Sequence, residues 1–491
     1  MKRHSDEFEV IVLGSGLGGL VAGTLLSRKN HDVLLLKENH YRPSFEKEEY
    51  RFVPFSNFSE RRLDLNFLKK ISQTLNLSLQ IHDREGDKQK ETKGEKTKQR
   101  VAFQVILPKA RIDLFSNRSM FQREWKREFP EEVAQIKNFF NEMEQLQHLL
   151  KEIRTKEGPD SVFPLRSRSL KKKWFSIESL PEGRIDERLS PFSREFKEFI
   201  HLQLISWGSL YPDQFPTSLA AYLLLNHETN EWVSNVNLEG LKKALLEKFF
   251  QSGGMMEEIE GVEEVKKEWR KGFTLSLKGG KRVFQSKSLI FSSPLQGFSN
   301  LLGKMGKLLS TWNEKIKPRY VLLPLFLGIR EKGVPVGMKD LLVSILDLKK
   351  PYEGGNILFI ALSPKGDEAE APQGKRALTV ESLIPMRKWD QSCLMEHQKG
   401  VMEHLNHLFP FLEKNIEFTD WSRANEPCLG WFYPHFLYET IPDFQWREGV
   451  VPTQIAKHIY FTGKENFPYL GVQGEVYSGL MVAQQILQRY S

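Results

Sequence analysis

The stretch Glu9 to His40, EVIVLGSGLGGLVAGTLLSRKNHDVLLLKENH, limits the fold more than any other part of the chain. Val10 to Leu13 is a short apolar run of the kind a strand buried on both faces requires. Gly14, Gly16 and Gly19 follow at G-x-G-x-x-G spacing, with Gly18 as an additional glycine. Leu20, Val21, Leu25 and Leu26 then recur at helical spacing as far as Lys29. Asn30 and His31 turn the chain, and Val33 to Leu36 form a second buried run. The whole is a βαβ unit with its glycines where a dinucleotide needs them. Gly14 permits the tight turn, Gly16 lets the backbone approach a pyrophosphate, and Gly19 lets the helix pack closely on the strand. Ser15, Leu17 and Gly18 complete the candidate binding loop, which presents the positive end of the helix to phosphate charge.

The end of the second strand breaks the pattern. A ribose ordinarily hydrogen-bonds to an acidic side chain there. In this chain Lys37 is the first residue after the apolar run, and Glu38 comes one later. A one-residue offset in a strand turns a side chain to the opposite face. Three readings follow. The strand end bends so that Glu38 reaches the ribose, or Lys37 suits a 2′-phosphate, or the usual ligand binds weakly or not at all.

At 491 residues the chain has material for two connected domains. Its net charge of +8 and pI near 9.1 are modest for that size. They suit a solvated basic surface or loose attraction to an anionic membrane. Cys393 and Cys428 are the only cysteines, too few for a disulfide framework or a zinc site, and they fit a reducing compartment. The first strand follows a short charged start without a signal-peptide pattern. The longest apolar run, Tyr320 to Ile329, is about half of what spans a bilayer. A cytoplasmic protein is expected, touching a membrane from one side at most. Arg84 to Arg100 has no apolar residue and mixes both signs of charge, which predicts an exposed loop and no nucleic-acid partner. His404 and His407 are spaced to share a helix face, but nothing nearby completes a metal site, so both read as exposed.

Periodicity predicts helices over Leu63 to Leu77, after Pro130, over Leu238 to Phe250 and over Val401 to Phe411. A closing helix is expected from near Gly474. Phe103 to Leu107 and Ala110 to Leu114 read as paired strands, and Glu257 to Val265 as one strand. Tyr320 to Ile329, Leu341 to Leu346, Ile357 to Leu362 and Ala377 to Leu383 read as an antiparallel sheet. Phe196 to Leu225 reads as helices that line an apolar cavity or form core. Lys171 to Phe175 reads as a membrane-resting segment or a charged loop beside a buried aromatic pair.

Several separated motifs, in the right order, resemble the flavin-dependent amine-oxidase superfamily, and within it the phytoene desaturase and carotenoid isomerase group. VLGSGLGGLVAGTLL resembles the FAD fingerprint, and EYRFVPF (Glu49 to Phe55) the segment after the first flavin loop. NLEGLKKALLEKFFQSGG with Glu260-Gly261-Val262 resembles the return to the adenine. GKRALTV (Gly374 to Val380) is similar to a substrate-domain strand. IYFTGKENFPYLGVQGEVYSGLMVAQQIL (Ile459 to Leu487) resembles the closing flavin motif.

The resemblance implies an α/β fold, α+β overall, in which a Rossmann-like FAD-binding domain is interleaved with a substrate domain of antiparallel sheet and helices. FAD-domain segments are expected at 1–82, 237–300 and 446–491, substrate-domain segments at 101–236 and 301–445, and a charged loop at 83–100. It assigns Gly14, Ser15, Gly16 and Gly19 to the pyrophosphate, Glu38 or Lys37 to the ribose, and the Val262 backbone to the adenine. Gly463 and Lys464 would lie near the ribityl chain, and Val472 with Gln473 near the isoalloxazine ring. The implied activity is FAD-dependent desaturation or redox isomerisation of a long apolar isoprenoid or polyene. The chain departs from the family in a glycine-free loop, Tyr41 to Lys47, and in Lys464, where an acid is common. These departures motivate a second reading, a non-catalytic binding or scaffold protein with a degenerate cofactor site. An amine-oxidase-like enzyme with a small substrate is the third. The aromatic stretch Trp421 to Tyr438 reads as a polyene tunnel or as core.

Overall fold

The computed structural model describes residues 6–38, 45–52, 63–79, 101–115, 117–155, 183–225, 232–233, 238–268, 272–279, 282–292, 301, 314–388, 391–422, 436–440, 446 and 449–490. The chain opens with β1 (Glu7–Leu13), α1 (Leu17–Arg28) and β2 (Val33–Glu38), then β3 (Phe45–Lys47), β4 (Tyr50–Phe52), β5 (Leu63–Asp64) and α2 (Leu65–Leu75). Next come β6 (Val101–Ile106), β7 (Arg111–Phe115), α3 (Arg118–Glu128), α4 (Val133–Thr155), α5 (Ile185–Leu189), α6 (Arg194–Trp207), α7 (Thr217–Leu224) and β8 (Trp232–Val233). It continues through α8 (Leu238–Gln251), β9 (Met255–Ile259), β10 (Val262–Glu268), β11 (Gly272–Leu277) and β12 (Val283–Phe291). Then follow β13 (Ile316–Arg330), β14 (Leu341–Ile345), β15 (Ile357–Leu362), β16 (Lys375–Pro385), α9 (Gln391–Leu408), β17 (Ile416–Asp420) and β18 (Phe436–Thr440). The end is β19 (Gln454–Ala456), β20 (Ile459–Phe461) and α10 (Gly471–Tyr490).

Two large sheets organise these elements. The first runs β10-β11-β12-β1-β2-β9, with β20 beside β12 and β19 beside β20. Its centre, β20-β12-β1-β2-β9, is parallel throughout. Both faces of that centre are covered, which is why β1 and β2 are continuous apolar runs rather than alternating ones. Val10, Val12, Val33 and Leu35 pack under α1, α8 and α10. Ile11, Leu13, Leu34 and Leu36 face the other way, into the larger core shared with the second sheet's helices. Each such side chain contributes about 1.5–3 kcal/mol on burial. The strand expected over Glu257 to Val265 is instead two. Gly261, at φ +153°, breaks it, so β9 pairs with β2 while β10 starts a meander at the opposite end of the sheet order. Only Gly among ordinary residues takes that backbone conformation readily.

The second sheet runs β17-β13-β16-β15-β14-β6-β7, with β18 also on β13. It is antiparallel except for β6 and β14, which pair in parallel. The mixed α/β architecture therefore matches the expected one, a parallel nucleotide-type sheet beside a largely antiparallel sheet. The β3–β4 hairpin is tied to it by Tyr50, which is buried and donates from its hydroxyl to Glu417 Oε2 at 2.8 Å. A Cβ at Gly328 would lie 2.8 Å from the Tyr50 ring, so the glycine makes room for the tyrosine. The expected Phe196 to Leu225 region resolves into α6 and α7. Phe196 and Phe199 of α6 pack with Phe121, Phe129 and Phe140, so much of this region is core.

Helix α9 corrects one expectation. His404 is fully buried rather than exposed, and so is His397 one heptad earlier. The Gly355 carbonyl accepts from His404 Nδ1–H at 2.8 Å, so Nε2 is left to accept from the Ser344 hydroxyl at 2.9 Å. His397 Nε2 meets Ser382 Oγ at 2.7 Å. Burial pushes both imidazoles down from 6.5 to about 4. Their unfolded forms protonate near 6.5, so native stability is complete above that pH and falls as pH drops through 6.5 towards 4. Glu417, held down to about 2 first by Lys375 and then by Tyr50, loses its contribution only below about 4.5. Urea unfolding at pH 7.5 and 5.0 is expected to show a lower midpoint at 5.0, with up to two protons taken up. A midpoint that does not change between these values contradicts the buried neutral pair.

Candidate functional site

The site begins where β1 ends. Gly14 turns the chain at φ +96° and its N–H donates to the Leu36 carbonyl at 2.9 Å, tying the turn to β2. Gly16 is the N-cap of α1. No side chain caps the helix, and its first turn holds no acid. First-turn amides have no intrahelical acceptor, so those of Leu17 and Gly18 suit an anion. Ser292, just past β12, fixes the loop. Its hydroxyl accepts from Gly19 N–H at 2.9 Å, its carbonyl from Gly16 N–H at 3.3 Å, and its own N–H donates to Leu13 O. Ser15 and Gly14 are partly exposed at the mouth.

The last segment of the chain closes this loop from behind. A Cβ on Gly18 would sit 2.8 Å from Thr462 Cβ and 2.9 Å from the Glu475 carbonyl oxygen. A Cβ on Gly479 would sit 2.3 Å from the Gly18 carbonyl oxygen. Helices α1 and α10 thus meet almost backbone to backbone. Thr462 N–H donates to Phe291 O at 2.7 Å, and Gly463 N–H to Asn466 Oδ1 at 2.8 Å. Lys464 is half-buried and Glu465 buried, its Oε2 standing 2.9 Å from where a Gly463 Cβ would be. The closing helix starts at Gly471, not near Gly474. Gly471 has φ +52°, and Gly474 is pressed against the Phe467 carbonyl, 2.6 Å from its would-be Cβ. Val472 is buried. Gln473, half-buried, accepts from the Tyr222 hydroxyl at 3.4 Å, which links the helical region to the head of α10.

At the outer end, Lys37 Nζ donates to Glu258 Oε1 at 2.9 Å. The two residues are directly opposite in the parallel β2–β9 register, so their side chains share a face. Glu38 lies opposite Ile259 in that register. Val262 is buried at the first position of β10. Glu258 carries no sequence signal of its own, because only the β2–β9 register brings it beside Lys37. Both partners are substantially solvent-exposed, and such a pair is worth about 0–1 kcal/mol.

Tyr211 stacks on Tyr320 with ring centres 5.8 Å apart, and the Arg319 guanidinium covers Tyr211 at 3.9 Å. Tyr352 donates to Glu198 at 2.5 Å, and Glu198 lies beside His201, whose Nε2 is 2.7 Å from Asp186. Residues 41–44, 84–100, 171–175 and 423–435, which carry the glycine-free loop, the charged loop, the basic-aromatic segment and most of the aromatic stretch, lie outside the described residues. Among the described residues no His, Cys, Asp and Glu group is suited to a metal, and no helix is long and apolar enough to cross a membrane.

No family model matches the sequence, and no curated protein matches it significantly. Solved structures do resemble it. An oxidoreductase from Methanosarcina mazei superposes with a TM-score of 0.63 at 14% identity, covering 97% of this chain and 100% of that one. Putrescine oxidase bound to putrescine gives 0.61 at 12% identity, covering 98% and 99%. A Rab GDI from Plasmodium falciparum gives 0.52 at 11%, covering 99% and 98%. At these identities the likeness establishes the fold.

The glycine contacts give a direct prediction. Gly18→Ala places a methyl against backbone and is expected to destabilise by about 1–3 kcal/mol. Gly23→Ala, one turn and a half further along α1, meets Phe249 at an ordinary 3.4 Å and is expected to stabilise by about 0.5–1 kcal/mol. Denaturant titration of both variants checks this. Equal effects would mean that α1 and α10 do not approach as described.

Proposed function

We propose that this chain binds FAD between its glycine loop and its closing helix and acts as an oxidoreductase on a long apolar isoprenoid or polyene. The observation that carries the reading is the junction of the first and last motifs. They are about 450 residues apart in sequence, yet Gly18, Thr462 and Gly479 make one contact. The residues present fit the nucleotide. The Leu17 and Gly18 amides would take the pyrophosphate, and the Val262 backbone the adenine. Glu258, steadied by Lys37, offers the ribose a carboxylate from the next strand, with Glu38 nearby in sequence. Gly463 and Lys464 would lie along the ribityl chain, with Val472 and Gln473 near the ring. The head of α10 favours negative charge there. FAD, when bound, supplies the hydride chemistry, and the protein supplies position and a dry surrounding.

Likeness to putrescine oxidase supports an amine substrate about equally well on fold alone. Against a cationic amine at the Tyr211 ring stands Arg319, which already covers its face. The non-catalytic reading draws on Lys37 and Lys464 and on a fold that a Rab GDI shares. A water-insoluble substrate must be collected from a bilayer, so weak, salt-sensitive binding to anionic vesicles accompanies the proposal.

Titration with FAD, NAD and NADP separates these readings. Glu258→Gln is expected to weaken FAD about tenfold or more, the worth of a hydrogen bond to a charged group. Lys37→Ala and Glu38→Ala are expected to do less. Loss with Glu38→Ala alone would move the ribose contact to Glu38. Tight NADP binding that Lys37→Ala abolishes, without flavin affinity, would overturn the FAD assignment.

A further inference from the structure

The second sheet has one place where neighbouring strands run in parallel, β6 and β14. Their pairing is short, Leu342 with Gln104, Val343 with Val105 and Ser344 with Ile106. Beyond it the strands part in opposite directions. β6 turns outward into β7, at the edge of the sheet, and β14 leads inward to β15. Such a divergence at the carboxyl ends of parallel strands opens a crevice, and ligands of open sheets bind in crevices of this kind. Here the crevice is a cavity of about 420 Å³, within the range of small-molecule sites of roughly 300–1,000 Å³. It lies at the α9 end of the pair, where Ser344 and His404 join the strand to that helix, and no residue of the glycine loop lines it. It is thus separate from the glycine loop.

Two cations and an imidazole stand at one side of the cavity. Lys109 in the β6–β7 turn, Arg111 at the start of β7 and His407 near the end of α9 all line it. No acidic side chain pairs with any of the three among the described residues. The one acid in the lining, Glu128, is occupied by Arg127 Nε at 2.6 Å. The floor is the buried Ser344–His404 hydrogen bond. That pair has the spacing of a nucleophile and its base. It sits within a strand that is laddered on both sides, to β15 and to β6, which leaves no pair of free amides to hold an oxyanion. The geometry therefore suits binding and not acyl transfer.

We propose that this crevice is a second site, which binds a small carboxylate or phosphate through Lys109, Arg111 and His407. Lys109, Arg111 and the His407 imidazole line one concave space, and none of the three pairs with a carboxylate among the described residues, so an oxyanion supplies both charge and acceptors.

The test is isothermal titration of the full chain with inorganic phosphate and, separately, malonate, at fixed ionic strength. Saturable binding in the millimolar range is expected for at least one of them. The double variant K109A/R111A should weaken it tenfold or more, and Glu128→Gln should strengthen it by about twofold. The same variants are expected to leave FAD affinity unchanged. Phosphate or malonate binding that survives K109A/R111A belongs to another site, such as the glycine loop, and overturns the proposal. So does the absence of saturable binding to wild type.

Discussion

The near-backbone contact between α1 and α10 is the constraint on which the rest of the structure depends. It requires glycine at both Gly18 and Gly479, because a methyl on either would collide with main-chain atoms of the other segment. Once the two helices meet, the closing strand β20 is set beside β12, and β12 beside β1, over register pairs such as Ile290 with Tyr460 and Val12 with Ile290. Ser292 then falls at the loop, where it holds Gly16 and Gly19. The same packing that completes the core also shapes the glycine turn, so stability and candidate function share residues here.

Small, specific devices add to the large core that the two sheets share. The Tyr50 hydroxyl and the Glu417 carboxylate join the hairpin β3–β4 to β17, with Lys375 Nζ at 2.7 Å and Arg330 Nε at 3.2 Å completing the neutralisation of Glu417. Ser209 N–H reaches the Pro468 carbonyl, and Tyr211 N–H the Tyr438 carbonyl. These contacts set the α6–α7 region against the head of α10. The apolar α6–α7 region and the closing segment that backs the glycine loop are in this way brought to one junction.

Much of this was legible in the sequence, for stated physical reasons. A strand buried on both faces must read as a continuous apolar run, and Val10–Leu13 and Val33–Leu36 do. Glycines at fixed offsets mark turns, and Gly14 takes the positive φ its place implies. What failed to show was non-local. Gly261 breaks a run whose apolar spacing alone looks like one strand. His404 looks like a surface residue because nothing in its own helix reveals that Ser344 and Gly355, in distant stretches, supply its partners. Glu258 looks like one of many surface acids until the β2–β9 register sets it against Lys37. Asn117 caps α3 by accepting from Met120 N–H, a short polar helix whose weak apolar stripe gave no signal.

The glycine loop and the closing helix are proposed to hold one flavin between them. The most direct measurement is the flavin content of the purified protein, read by its visible absorbance and by the FAD released on denaturation. A yellow protein is expected, or one that takes up FAD to about one per chain with a rise in melting temperature, because a ligand that binds only the native state stabilises it. A colourless protein whose melting temperature is indifferent to added FAD would contradict it.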